Sequence, residues 1–190
     1  TSVFAVKILK SLYQNGYPIA TVYTQAPKKS NRGMRVTKSP VHSISETLSL
    51  EVRTPVTLKN NQEEYEYLKD IDAHMCLLIA YGQIIPKSFL NLTKKGFINI
   101  HASLLPKYRG AAPIQRAIMN LEKKTGISIM KINSQLDEGP VCKSYEIDIN
   151  EKDSSDDLSE KLSDLAVEKI LDDIDDILDD KAKFKDQDHS

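Results

Sequence analysis

From residue 4 to residue 178, apolar positions recur by turns at helical and at extended spacing. A chain that switches period in this way points to an α/β fold. Helical spacing occupies residues 4–14, stopping near Asn15 and Gly16, and returns weakly at 41–50 and again at 63–69. Residues 113–120 form a short helix with a proline at its start, and 154–178 a long one whose stripe is Leu158, Leu162, Leu165, Ile170, Ile174 and Ile177. Extended runs fall at 19–24, 74–80, 96–101, 127–132 and 141–149. The alternation predicts a largely parallel sheet flanked by helices. The run 74–80 is almost continuously apolar and is expected deep in the sheet, covered on both faces. The aspartates of the last helix are expected on its wet face, and the chain shows neither an internal repeat nor an interior linker.

The extended run at 96–101 carries the chemistry. If it is a strand, Asn99 and His101 project from one face, with Phe97, Ile98 and Ile100 packed around them. The strand is followed by Ser103, Leu104, Leu105, Pro106, Lys107, Tyr108, Arg109 and Gly110, a loop at the strand's C-terminal end, where open α/β sheets hold ligands. Downstream, Leu136, Asp137, Glu138, Gly139 and Pro140 form a turn that could present the Asp137 carboxylate to the imidazole. Singly, each residue has a plainer reading: Asn99 as a turn cap, His101 as a core histidine, Asp137 as the opener of a turn. Together they place an amide, an imidazole and a carboxylate where one small site can use all three.

Composition narrows the class. With 190 residues and 40% hydrophobic content the chain can bury one sizeable core. No apolar run is long enough to span a bilayer, and the segment from Thr1 lacks the basic start and cleavage site of a signal peptide. Cys76 and Cys142 stand in no motif and fit reduced thiols of a cytosolic protein. His42, His74 and His189 are scattered, so no metal site is expected. The formal net charge of −1 conceals an asymmetry. Lys28, Lys29, Arg32, Arg35 and Lys38 crowd one segment, and six aspartates crowd residues 172–180. A flexible basic loop of this kind can engage phosphates, and it can equally be a solvated surface loop.

Asn99, His101, the loop from Ser103 to Pro106 and the turn around Asp137 together resemble the formyltransferases that use 10-formyltetrahydrofolate. Residues 108–118 and 80–86 resemble the branch of that family acting on methionyl-tRNA. The resemblance runs from Phe4 to about Val141, and more loosely through the last helix. It implies a Rossmann-like catalytic domain in which Asn99, His101 and Asp137 form the catalytic set. It further implies that folate lies against Ser103, Leu104, Leu105 and Pro106, with its pterin near the backbone of Ala80, Tyr81 and Gly82. Residues 25–40 resemble the inserted loop that grips the acceptor stem of the initiator tRNA, which gives Lys28, Lys29, Arg32, Arg35 and Lys38 a partner. A cytoplasmic monomer without metal is implied as well.

Members of the family begin with a strand ending in a Gly-Thr turn, and this chain opens at Thr1 without one. They also continue into a linker and a small β-barrel domain. The expectation is a catalytic domain over residues 1–180 lacking its first strand, then the start of a linker at 181–190. Two strands would lose a ladder partner, and the isolated chain is expected to be unstable. Three other readings stay open. A formyltransferase acting on a nucleotide or amino sugar would have no use for the basic segment, a formyltetrahydrofolate hydrolase would release formate without an amine, and a dead remnant would only bind folate or RNA.

Overall fold

A computed structural model describes residues 3–30 and 35–188. The first apolar stripe forms α1 (Val3–Gln14), followed by a two-residue strand β1 (Val22–Tyr23). The basic segment is a β-hairpin, β2 (Lys28–Ser30) against β3 (Arg35–Thr37), with Lys28 opposite Thr37 and Ser30 opposite Arg35. Sequence composition suggests a loop there because charged residues give no alternation to read. Next come α2 (Pro40–Thr47), β4 (Val52–Arg53) and α3 (Gln62–Ile71). Ser39 and Asn61 cap the two helices by accepting from the backbone N–H of His42 and Glu64. The second half holds β5 (Cys76–Leu78), β6 (Phe97–His101), α4 (Pro113–Met119), β7 (Lys124–Lys131), β8 (Val141–Asp148) and α5 (Ser155–Leu178). Ser154 and Asp157 close a capping box at the start of α5.

The α/β class expected from the alternation holds, as does the Rossmann-like fold implied by the resemblance, with mixed pairing. β1 and β4 run parallel, as do β5 and β6, whereas β7 runs antiparallel to both its neighbours, β6 and β8. On one face of the main sheet, Ile98, Ile100, Ile127 and Ile129 pack against Phe4 and Ile8 of α1 and the stripe of α5. On the other, Phe97 joins Leu58, Leu68, Tyr81 and Phe89. A third cluster, Ala5, Leu9, Val22 and Val41, ties α1 and α2 to β1.

Two expectations change. The run 74–80 is a three-residue strand whose residues are half-buried, and among the described residues β5 is laddered on one edge only, to β6. Its apolar composition fits a fully covered strand, but coverage depends on the neighbour at its second edge. The aspartates of α5 are not uniformly wet either, because Asp173 is 3% exposed and turned toward Tyr145 on β8.

Candidate active site

Strand alternation puts Phe97, Asn99 and His101 on one face of β6, and the hydrophobic cluster beneath them ends at Phe97. Asn99 and His101 are therefore roughly 7 Å apart along the strand, pointing out of the sheet in the same direction. Across the antiparallel ladder, Asn99 faces Met130 and His101 faces Ser128. The Asn99 side chain is half-buried and makes no hydrogen bond to any described residue. Its amide is thus available to a ligand. His101 is 6% exposed, and its Nε2 lies 2.9 Å from the Tyr108 carbonyl oxygen. A carbonyl only accepts, so Nε2 carries the proton and donates it. That leaves Nδ1 to face the Asp137 carboxylate, whose Oδ2 stands 3.7 Å away.

Two loops fix that arrangement. In the first, Ser103 donates to the Lys107 carbonyl at 2.6 Å, and Ser128 on β7 donates to the Ser103 carbonyl while accepting from the Leu105 N–H. The stretch around Tyr108 is braced from α4, where Arg116 donates to the Arg109 carbonyl and lies with its guanidinium 5.3 Å from the Tyr108 ring. In the second loop, Asp137 sits at φ 49°, a left-handed conformation that Asp tolerates better than most residues. Its Oδ2 accepts the Gly110 N–H at 2.8 Å, so one carboxylate oxygen spans both loops. Gly139 brings the turn against β7, and a Cβ there would collide with the Lys131 carbonyl oxygen. Ala80, Tyr108 and Ala112 also hold positive φ, and backbone strain of this kind gathers where a site must be held in one shape.

Residues 1–174 match the family model described as formyl transferase. The chain belongs to the formyl transferase family. It is 60% identical over 188 residues to a methionyl-tRNA formyltransferase of Pelagibacter ubique, covering 99% of this chain and 61% of that protein. It is also 45% identical over 163 residues to a methionyl-tRNA formyltransferase of Rhizobium rhizogenes, covering 85% of this chain and 51% of the relative. This chain thus spans between half and two thirds of the length of these relatives. In fold it is similar to a phosphoribosylglycinamide formyltransferase from Anaplasma phagocytophilum, with TM-score 0.78, 17% identity, and 99% and 90% of the two chains covered.

Within this formyl transferase domain, the structure brings His101 and Asp137 together and places Asn99 beside them. It treats the first loop less evenly. Ser103 is fully buried with its hydroxyl bonded inside the loop, Leu104 and Leu105 are half-buried, and Pro106 is exposed. Leu104 packs over Gly126, where its Cδ2 would be displaced by any Cβ. It also lines an open cleft of about 590 Å³ with Lys107, Tyr108, Glu122 and Lys124. Of the basic residues, Lys38 is paired with Glu46 at 2.6 Å, Lys28, Lys29 and Arg35 sit on the hairpin strands, and Arg32 lies outside the described residues. The hairpin's base is pinned to the segment following β5, since Gln25 donates to the Tyr81 carbonyl at 3.1 Å.

Sequence reasoning missed Ser128, Arg116 and Gln187, which act on the site mainly through backbone groups of its loops and so carry no motif of their own. Burial pushes the Cys76 thiol up to about 12, and burial together with Asp173 pushes the Cys142 thiol up to about 11, so neither serves as a nucleophile. Among the described residues no group of His, Cys, Asp and Glu could hold a metal ion, and no helix is long and apolar enough to cross a membrane.

Proposed function

We propose that the protein carrying this chain transfers a formyl group from 10-formyltetrahydrofolate to the α-amino group of methionyl-tRNA, in the cytoplasm and as a monomer, for translation initiation. The observation that carries the reading is the unbonded Asn99 amide beside an imidazole whose free nitrogen faces a carboxylate. The family match and the two methionyl-tRNA formyltransferase relatives support it.

The amine nitrogen attacks the formyl carbon, the carbonyl oxygen becomes anionic, and the bond to N10 then breaks. Asn99 donates to the oxyanion, the charge that most needs stabilising in acyl transfer. With Nε2 held on Tyr108, Nδ1 of His101 is the nitrogen left to act as relay, taking the proton that Asp137 hands on and passing it to the departing N10. Asp137 holds the ring and receives, through water, the proton the amine gives up. An α-amino group has a reference pKa of about 7.7–8.0, so a useful fraction is already nucleophilic at neutral pH. Orientation and oxyanion stabilisation are then the protein's main tasks, and no covalent intermediate is needed.

The folate donor is a substrate whose heterocycle requires apolar walls and a few backbone partners. Leu136, beside Asp137, is 68% exposed, and Ile84, just beyond Gly82, is 86% exposed, which supports placing the pterin between these segments. Contact with Leu104, Leu105 and Pro106 belongs to the same pose, whereas Ser103 would act by shaping the loop. Lys28, Lys29, Arg32 and Arg35 would meet acceptor-stem phosphates, with Lys38 contributing less because of Glu46. A small-amine acceptor would leave this hairpin without a task.

The test is formyl transfer from 10-formyltetrahydrofolate to methionyl-tRNA by the full-length protein. Asn99→Ala is expected to lower turnover about 10²–10³-fold, the effect of removing one oxyanion donor, with folate binding retained. Unchanged turnover would overturn the role given to Asn99.

A further inference from the structure

Beyond α5 the chain turns back along the sheet. Lys185 pairs antiparallel with Val141 at the start of β8, exchanging backbone hydrogen bonds of 2.8 and 2.9 Å. This sets the position of Gln187, which is 7% exposed although it lies close to the end of the described chain. Its Nε2 donates to the carbonyls of Asp137 and Gly139, each at 2.8 Å. Its Oε1 accepts from Arg109 Nε at 3.0 Å. One amide therefore ties the backbone of the Asp137 turn to the side chain of the residue following Tyr108, whose carbonyl holds His101 Nε2.

We infer that Gln187 is a positioning residue, a clasp between the two loops that keeps the Asp137 carboxylate against His101 Nδ1. The inference deepens the proposed function and, for its catalytic consequence, rests on it. The geometry leaves the side chain little choice. Both hydrogens of its amide nitrogen have carbonyl partners, and its oxygen has a guanidinium partner. Leu at this position removes donors and acceptor together. Glu keeps the acceptor facing Arg109 but sets a carboxylate against two carbonyl oxygens, so it should release the Asp137 turn alone. Asn is one methylene shorter and cannot span both loops. In Gln187→Glu the effect on chemistry would pass through Asp137 alone, because Gln187 touches neither His101 nor Asn99 and the bond to Arg109 is kept, whereas Gln187→Leu also removes the bond to Arg109 beside Tyr108. A displacement of about 1 Å at a reacting group can lower rate about 10²-fold.

The experiment compares Gln187→Leu and Gln187→Glu with Asp137→Asn in the full-length protein, with two readouts. The first needs no substrate: the imidazole nitrogen resonances of His101. The inference expects both Gln187 variants to shift Nδ1 in the direction that Asp137→Asn does. The second is formyl transfer, where kcat should fall about 10–100-fold with KM for folate within about twofold. In an Asp137→Asn background, Gln187→Glu should add no further loss, since residues acting through one another are not additive. Unchanged His101 resonances in both variants, or full additivity with Asp137→Asn, would overturn it. Shifted resonances in a protein whose wild type transfers no formyl group would leave the clasp standing and refute the proposed reaction instead.

Discussion

At the scale of single residues, the site depends on small groups that let two loops approach. Gly139 is the sharpest case. Its absent side chain lets the turn lie on β7, and a methyl there would meet the Lys131 carbonyl oxygen with the Met130 Cε at 3.2 Å behind it. The obstacle is backbone inside a ladder, so the turn must lift, carrying the Gly139 carbonyl away from Gln187 and Asp137 away from His101. Gly139→Ala is therefore expected to destabilise the protein by about 1–3 kcal/mol, as overpacking does, and to lower formyl transfer by about 10²-fold. Thermal melts and kinetics on the same preparation check both, and a variant with normal rate and normal melting would show that the turn has slack. The placing of Asn99 and His101 on one side was legible in the sequence because a strand's period of two forces it, whereas Asp137 joined them through a turn and the family resemblance. The tautomer of His101 was not, since it follows from the Tyr108 carbonyl, a backbone group that every residue has.

Among the elements, the long periodic ones were the readable ones. The stripe of α5 and the alternation of β6 each bury one face continuously, so pattern and structure coincide. Short elements escaped. β4 is two residues long, and the basic hairpin has one apolar residue, Val36, among Lys, Ser, Arg and Thr, which leaves no alternation to set a register. The separation of β1 and β4 from the four-stranded sheet has a measurable consequence. β1 and β5 each have a ladder on one edge among the described residues, yet both feed the same clusters, with Tyr23 packing beside Cys76 and Leu78 and Ile79 packing near Val22. Amides on an open edge exchange through small local openings, whereas those of β6, laddered on both sides, require a larger one. Hydrogen exchange on the chain from Thr1 to Ser190 should therefore rank β6 and β7 as best protected and β1 and β5 as least. Equal protection across all four would argue that something closes those edges.

Over the whole molecule, two buried carboxylates respond to pH in opposite senses. Burial raises the pKa of Glu64, but the Arg53 guanidinium at 2.7 Å and the Tyr23 hydroxyl outweigh it and hold the group below its ordinary value. Its contribution to stability is present above the unfolded pKa of about 4.3 and is lost as pH falls through the lower folded value. Asp173 is the reverse: burial raises it, with Asp172 and Asp176 adding to the rise and Tyr145 and Lys143 opposing it, and its Oδ2 has no partner among the described residues. No penalty exists below the unfolded pKa of about 3.9, and one develops as pH rises through the raised folded value. Asp173→Asn keeps an acceptor for the Tyr145 hydroxyl, which now donates at 2.8 Å, and removes the buried charge. The variant should gain stability at neutral pH because the ionised form, which burial disfavours, is gone. Because the penalty it removes is absent in acid, the gain should shrink toward zero as pH drops below the range where Asp titrates. Denaturant midpoints for wild type and variant at several pH values decide it. A gain that stays constant with pH would mean that the substitution relieves packing rather than charge, and a loss at every pH would mean that the Asp173 carboxylate has a partner which stabilises it.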